Sequence, residues 1–139
     1  MNAIDGTIHA VANILATSVL IDERLRDIEI IEFSHSMTTI NQHVRPDVIL
    51  PPEDIAEWFK GHADSISNKI STDENDVWKT QILNQIQDQD LRRMVLTAMF
   101  SISVCDYELK DEECEFLKLA VSLWKIDLPH VTDMERLVG

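Results

Sequence analysis

The sequence predicts an all-α fold, and three observations carry that expectation. Apolar residues recur at three- and four-residue steps along most of the chain, turn-formers are scarce, and runs of alternating β-branched residues are few. Only 3 Gly and 4 Pro occur among 139 residues, too few for the tight turns of a sandwich or barrel. A chain of 139 residues fills one core and does not divide comfortably into two, so a single helical domain over residues 1–139 is expected. Its architecture reads as a compact bundle of about six to seven helices with an internal pseudo-twofold repeat.

The first helix is expected from about Thr7 to Leu20, with Ile8, Val11, Ala12, Leu15 and Val19 on one face turned to the core. A second follows Asp22-Glu23-Arg24-Leu25-Arg26, carries Ile30, Phe33, Met37 and Ile40, and fades before Pro46. Pro46, Pro51 and Pro52 mark a loop, and Glu53-Asp54 suit the first turn of a third helix, where the macrodipole favours acids. That helix buries Ile55, Trp58, Phe59 and Ile66, with Gly61 a possible kink, and ends near Ile70. The polar cluster Ser71 to Asp76 supplies caps for a fourth helix, striped by Val77, Trp78, Ile82, Leu83 and Ile86. Asp88-Gln89-Asp90 caps a fifth from Leu91 to about Val104, and a sixth carries Cys114, Leu117, Val121 and Trp124. A short seventh is expected after Pro129, with Val131, Met134 and Leu137 turned inward.

The apolar fraction of 45% and charged fraction of 27% are those of a soluble globular protein. The formal net charge of -13, from 25 acidic against 12 basic residues, repels phosphate backbones and gathers cations. Nucleic acid is therefore not expected as a partner. A basic protein partner or a cation suits that field, although a purely solubilising surface has the same sign. Cys105 and Cys114 form no C-x-x-C pair and read as reduced, mostly buried thiols. The apolar run from Ile8 to Ile21 follows Asp5 with no preceding Lys or Arg and is interrupted by Asn13, unlike a signal segment, and it is too short to span a bilayer. Cytoplasmic localisation without membrane insertion is the expectation.

Asp22-Glu23-Arg24-Leu25-Arg26-Asp27-Ile28-Glu29 aligns with Asp106-Tyr107-Glu108-Leu109-Lys110-Asp111-Glu112-Glu113 at an offset of 84 positions, from Asp22 to Asp106. Asp22, Leu25, Asp27 and Glu29 meet identical residues, and Arg26 meets Lys110. Downstream, Ile30, Phe33, Met37 and Ile40 fall on Cys114, Leu117, Val121 and Trp124; upstream, Val11 meets Val95. Repeat 1 then spans about 7–43, central helices about 53–88, and repeat 2 about 90–125.

A helix running into Asp-Gly-x-Ile-x-x-x-Glu resembles the repeated signature of the TerB-like tellurite-resistance family. Here the spacing runs from Asp22 through Leu25 to Glu29 and from Asp106 through Leu109 to Glu113, with Glu23 and Tyr107 where the family has Gly. The resemblance covers the chain from the first helix through Trp124. It implies a non-enzymatic, metal-associated stress-response domain.

If the two acidic turns converge, the carboxylates of Asp22, Glu29, Asp106 and Glu113 would form an oxygen site for a divalent metal ion such as calcium, magnesium or manganese, with zinc also to be tested. The competing reading makes Asp22 and Asp106 helix caps and leaves Glu29 and Glu113 bonded to backbone N–H groups or facing water. On that reading the chain is a metal-free protein-interaction scaffold with an acidic docking face. An EF-hand is excluded, because Arg24 and Arg26 stand where oxygen donors are needed. Glu32 and His35 form half of a di-iron E-x-x-H pair, but the second copy offers Phe116 and Leu119 there. His9, His43, His62 and His130 show no ligand spacing and read as surface or hydrogen-bonded histidines. No Gly-rich phosphate loop or nucleophile elbow is present, and no catalytic residue is assigned. Trp58, Phe59, Trp78, Phe100 and Trp124 are spaced as core aromatics.

Overall fold

The computed structural model describes residues 4–22, 26–105 and 111–126, and these form a bundle of six α-helices without strands. They are α1 (Gly6–Leu20), α2 (Asp27–Val44), α3 (Pro52–Thr72), α4 (Val77–Asn84), α5 (Gln89–Val104) and α6 (Asp111–Trp124). The seventh helix expected after Pro129 lies outside the described residues. None of the described helices is long and apolar enough to cross a membrane.

α1 is the axis of the bundle, packed against α2, α3, α4 and α5. The expected face of Ile8, Val11, Ala12, Leu15 and Val19 is buried, but so are Ala10, Ile14, Ala16, Thr17 and Ser18, so the helix is enclosed nearly all round. Small side chains let its neighbours approach. The Thr17 hydroxyl donates to the Asn13 carbonyl at 2.7 Å and Ser18 to that of Ile14 at 3.4 Å, which satisfies the two polar groups within the helix itself. α1 begins at Gly6, whose φ of 51° lies in the left-handed region that glycine adopts without penalty.

α5 is the second hub, in contact with α1, α2 and α6, and buries Leu91, Val95, Leu96, Met99 and Ile102. The Asp88 side chain accepts from the backbone N–H groups of Asp90 and Leu91, the cap expected from sequence. α2 contributes Phe33, Met37 and Ile40 to the core, with Ile30 half-buried. α3 buries Ile55, Trp58, Phe59 and Ile66 and continues through Gly61 without a break. A lone helical glycine costs roughly 1 kcal/mol relative to alanine, which the packing of Trp58 and Phe59 against Phe33 readily offsets.

Two helix ends depart from standard geometry. Between α3 and α4, Asn75 and Asp76 take φ of 57° and 59°, conformations that short polar side chains tolerate better than others. After α6, Lys125 takes φ of 55°, and the Ile126 N–H returns to the Val121 carbonyl at 3.3 Å, a Schellman closure with lysine where glycine is usual. In α4 the expected stripe holds for Ile82 and Leu83, with Ile86 buried just beyond, but Val77 is 57% exposed. The reason is position: Val77 opens the helix directly after the left-handed pair and faces solvent.

Candidate functional site

Glu29 and Glu113 occupy the same place in their helices, the third residue of α2 and of α6. Both are almost wholly enclosed, at 1% and 2% exposure. The alternative that they face water is thereby corrected. Both Oε atoms of Glu29, Oε2 of Glu113 and Oδ2 of Asp22 are shielded from solvent, and none of the three residues is without a partner. A buried carboxylate is tolerated only when such interactions replace its hydration. From the third position of a helix a glutamate turns back toward the segment that precedes it, the geometry of a capping box.

Asp22 does not cap α2. The cap position is Arg26, four residues later, with extended backbone and no side-chain cap bond. Asp106 lies outside the described residues, so the proposed quartet is described only through Asp22, Glu29 and Glu113. Among the described residues no group of three or more His, Cys, Asp or Glu side chains is placed to hold a metal ion.

Three other arrangements stand out. The first is a cleft of about 260 Å³ where the ends of α1 and α3 meet α4 and α6. Its apolar surface comes from Ile21, Ile70, Phe116 and Leu119, and its acids are Asp76, Glu112 and Glu115. The one cation among the described lining residues, Lys79, is committed to Asp73 at 3.1 Å and Asp76 at 3.4 Å. Asp73 also accepts from the backbone N–H groups of Trp78 at 2.8 Å and Lys79 at 3.3 Å, capping α4 from outside the helix. Burial alone would raise its pKa, but these N–H donors and the Lys79 ammonium outweigh burial and hold it below the ordinary aspartate value.

The second arrangement is an open groove of about 400 Å³ between α2 and α5. Glu32, His35, Ser36 and Thr39 line one wall, and Arg93 and Thr97 the other, above Ile40, Met94 and Ala98. Glu32 and His35 thus face a surface groove, without a second E-x-x-H opposite them. Beside it on α2, Ile28 and Ile31 are 46% and 67% exposed.

The third is a ring cluster. Trp58 Nε1 donates to His9 Nδ1 at 3.1 Å, and His62 stacks on Trp58 with centroids 4.3 Å apart and planes 15° apart. His9 and His62 are thus the histidines that sequence reading left as merely hydrogen-bonded or exposed. Nothing in the sequence signals their pairing, because they lie 53 positions apart. The Asp73 cap was foreshadowed by the Ser71 to Asp76 cluster, whereas the acidic cleft needed the packing of α4 on α6.

Cys105 and Cys114 form no disulfide and are half-buried, more accessible than expected. Trp58, Phe59 and Trp124 are buried, while Trp78 and Phe100 are half-buried at the edge of the core. Comparison of the chain with protein-family models, with curated proteins and with solved structures gives no match.

Proposed function

We propose that the chain is a non-enzymatic docking domain that receives a basic segment of a partner protein in the acidic cleft between α3, α4 and α6. The observation that carries this reading is the cleft itself: Asp76, Glu112 and Glu115 around Ile21, Ile70, Phe116 and Leu119. Its one described cation is already paired with Asp73 and Asp76. A lysine or arginine lays its aliphatic stem on apolar surface and keeps its charge among carboxylates. The net charge of -13 would speed the approach of such a partner and make the association sensitive to salt.

The TerB-like resemblance extends the proposal to a stress-response setting of the tellurite-resistance kind, and the helix boundaries favour the duplication behind it. Displaced by 84 positions, α1 falls on α5 and the start of α2 on the start of α6. Glu29 then meets Glu113, both buried, and Ile30 meets Cys114, both half-buried.

The test is titration of a short lysine–leucine peptide into isotopically labelled protein. Shifts should concentrate at Asp76, Glu112, Glu115 and Leu119, weaken with added salt, and vanish in a Glu112→Lys, Glu115→Lys double variant. Shifts elsewhere that survive the double variant would overturn the assignment.

A second reading rests on the burial of Glu29 and Glu113 at matching positions. In it Asp22, Glu29, Asp106 and Glu113 hold a divalent cation through their carboxylate oxygens, calcium and manganese being the ions whose chemistry fits best. Calorimetric titration with calcium, magnesium, manganese and zinc tests it, and absence of heat and of thermal stabilisation with all four would reject it.

A further inference from the structure

We propose that His9, Trp58 and His62 form a pH-operated clasp between α1 and α3, closed while His9 is neutral and opened when its Nδ1 takes up a proton. The inference is independent of the docking cleft.

The protonation states follow from the bonds. An indole N–H only donates, so the 3.1 Å contact from Trp58 Nε1 requires a lone pair on His9 Nδ1 and places the proton of a neutral His9 on Nε2. A carbonyl oxygen only accepts, so His62 Nδ1, 2.7 Å from the Trp58 carbonyl, carries a hydrogen. Trp58 is therefore held twice, through its ring by a residue of α1 and through its backbone by the next turn of α3. Trp58 is 4% exposed and its ring stacks on Phe33 of α2 with centroids 6.3 Å apart, so its orientation affects three helices.

A proton on His9 Nδ1 replaces the acceptor with a second donor. Two N–H groups then face each other at 3.1 Å, and the bond between α1 and α3 is lost. The His9 and His62 rings meet edge to face at 5.6 Å, so a charge on one opposes a charge on the other. Burial first, and the His62 charge second, push the His9 pKa below its ordinary 6.5.

On α3 the other charged groups are Glu53, Glu57, Lys60, Asp64 and Lys69, all exposed, and the half-buried Asp54 of its first turn. Asp5, just before α1, pairs with Arg45 at the end of α2 at 3.1 Å. His43 of α2 and Asp88 before α5 line a cleft with Thr7, and Glu32, His35 and Arg93 line the α2–α5 groove. Arg92 of α5 donates to the Ile86 carbonyl at 2.7 Å. Lys79 of α4 lies by Ile21, beyond the far end of α1. Among the described residues, His62 is the group whose charge acts on His9.

The sign is fixed by linkage. A histidine with a lowered folded pKa binds fewer protons folded than unfolded, so its contribution is full above about pH 6.5 and declines as pH falls toward the lowered value.

Nitrogen-detected NMR on the full chain tests the clasp. Near neutral pH the His9 signals should report an Nε2–H tautomer and the Trp58 indole N–H should exchange slowly. Its protection should fall about tenfold or more as His9 titrates, against the intrinsic trend of slower exchange in acid. His9→Gln, which accepts through Oε1 and does not titrate, should keep the indole protected throughout, and His62→Gln should move the transition to higher pH. An Nδ1–H tautomer in the parent chain would overturn the proposal without recourse to any variant. So would a protection loss that persists unchanged in His9→Gln.

Discussion

Trp124 Nε1 donates to the Leu83 carbonyl at 3.0 Å, joining the end of α6 to α4 across 41 residues. The bond is buried, and the indole face also receives the Arg92 guanidinium, 5.8 Å from the ring centroid. The Trp124 carbonyl accepts from Gln89 Nε2 at 3.1 Å, so one residue ties together α4, α5 and α6. Trp124→Phe keeps most of the apolar area but leaves the Leu83 carbonyl without this donor. A loss of about 1–2 kcal/mol is expected. Denaturant unfolding should show a lower midpoint with an unchanged slope; an unchanged midpoint would mean that the bond adds nothing to stability.

Asp73 offers a pH test with a definite sign. Its side chain is 1% exposed and caps α4 while pairing with Lys79, so Asp73→Ala should cost roughly 1–2 kcal/mol near neutrality. Because the folded pKa is lowered from 3.8, its charged-state contribution is present above the unfolded value and disappears as pH falls through the lower, folded one. The stability gap between parent and variant should stay constant from neutrality to about pH 4 and narrow below it. A gap that widens in acid would contradict the assigned interactions.

Helix positions were readable in the sequence because each helix repeats its apolar residues every three or four positions and starts from a polar cluster. Asp88 ahead of Leu91 and Pro52 ahead of Glu53-Asp54 are local signals, and the structure uses both locally. What a helix meets is not local. The sequence showed one apolar face on α1, whereas α1 is enclosed because four helices surround it and its small residues admit them. Gly61 read as a weak point because propensity is local, whereas α3 is continuous through it from Pro52 to Thr72. Glu29 and Glu113 were singled out by their repeated spacing, yet their burial depends on neighbouring helices. The cleft of Asp76, Glu112 and Glu115 combines segments 36 positions apart and has no sequence signature of its own.

Lys125 provides a stabilising substitution. A lysine at φ of 55° carries the steric cost of a Cβ in the left-handed region, while the Ile126 return bond to Val121 demands that conformation. Lys125 is exposed, so little packing is lost on its removal. Lys125→Gly should raise stability by about 0.5–1 kcal/mol, read as a higher melting temperature. Destabilisation would show that the lysine side chain contributes more than its backbone conformation costs.

The buried glutamates separate the two readings of the acidic turns. If each braces the segment ahead of its own helix, Glu29→Gln and Glu113→Gln each lose charge-assisted bonds, and each should cost about 1–3 kcal/mol. Braces in separate turns act independently, so the double variant should lose the sum of the two within about 0.5 kcal/mol. Addition of manganese or calcium, or of a chelator, should then change nothing. Carboxylates sharing one cation behave otherwise: the first substitution already forfeits the ion, the second costs little more, and metal stabilises only the parent chain. Docking without a metal therefore expects an additive, metal-indifferent cycle. A strongly sub-additive cycle that becomes additive in chelator would transfer the acids to a shared cation site.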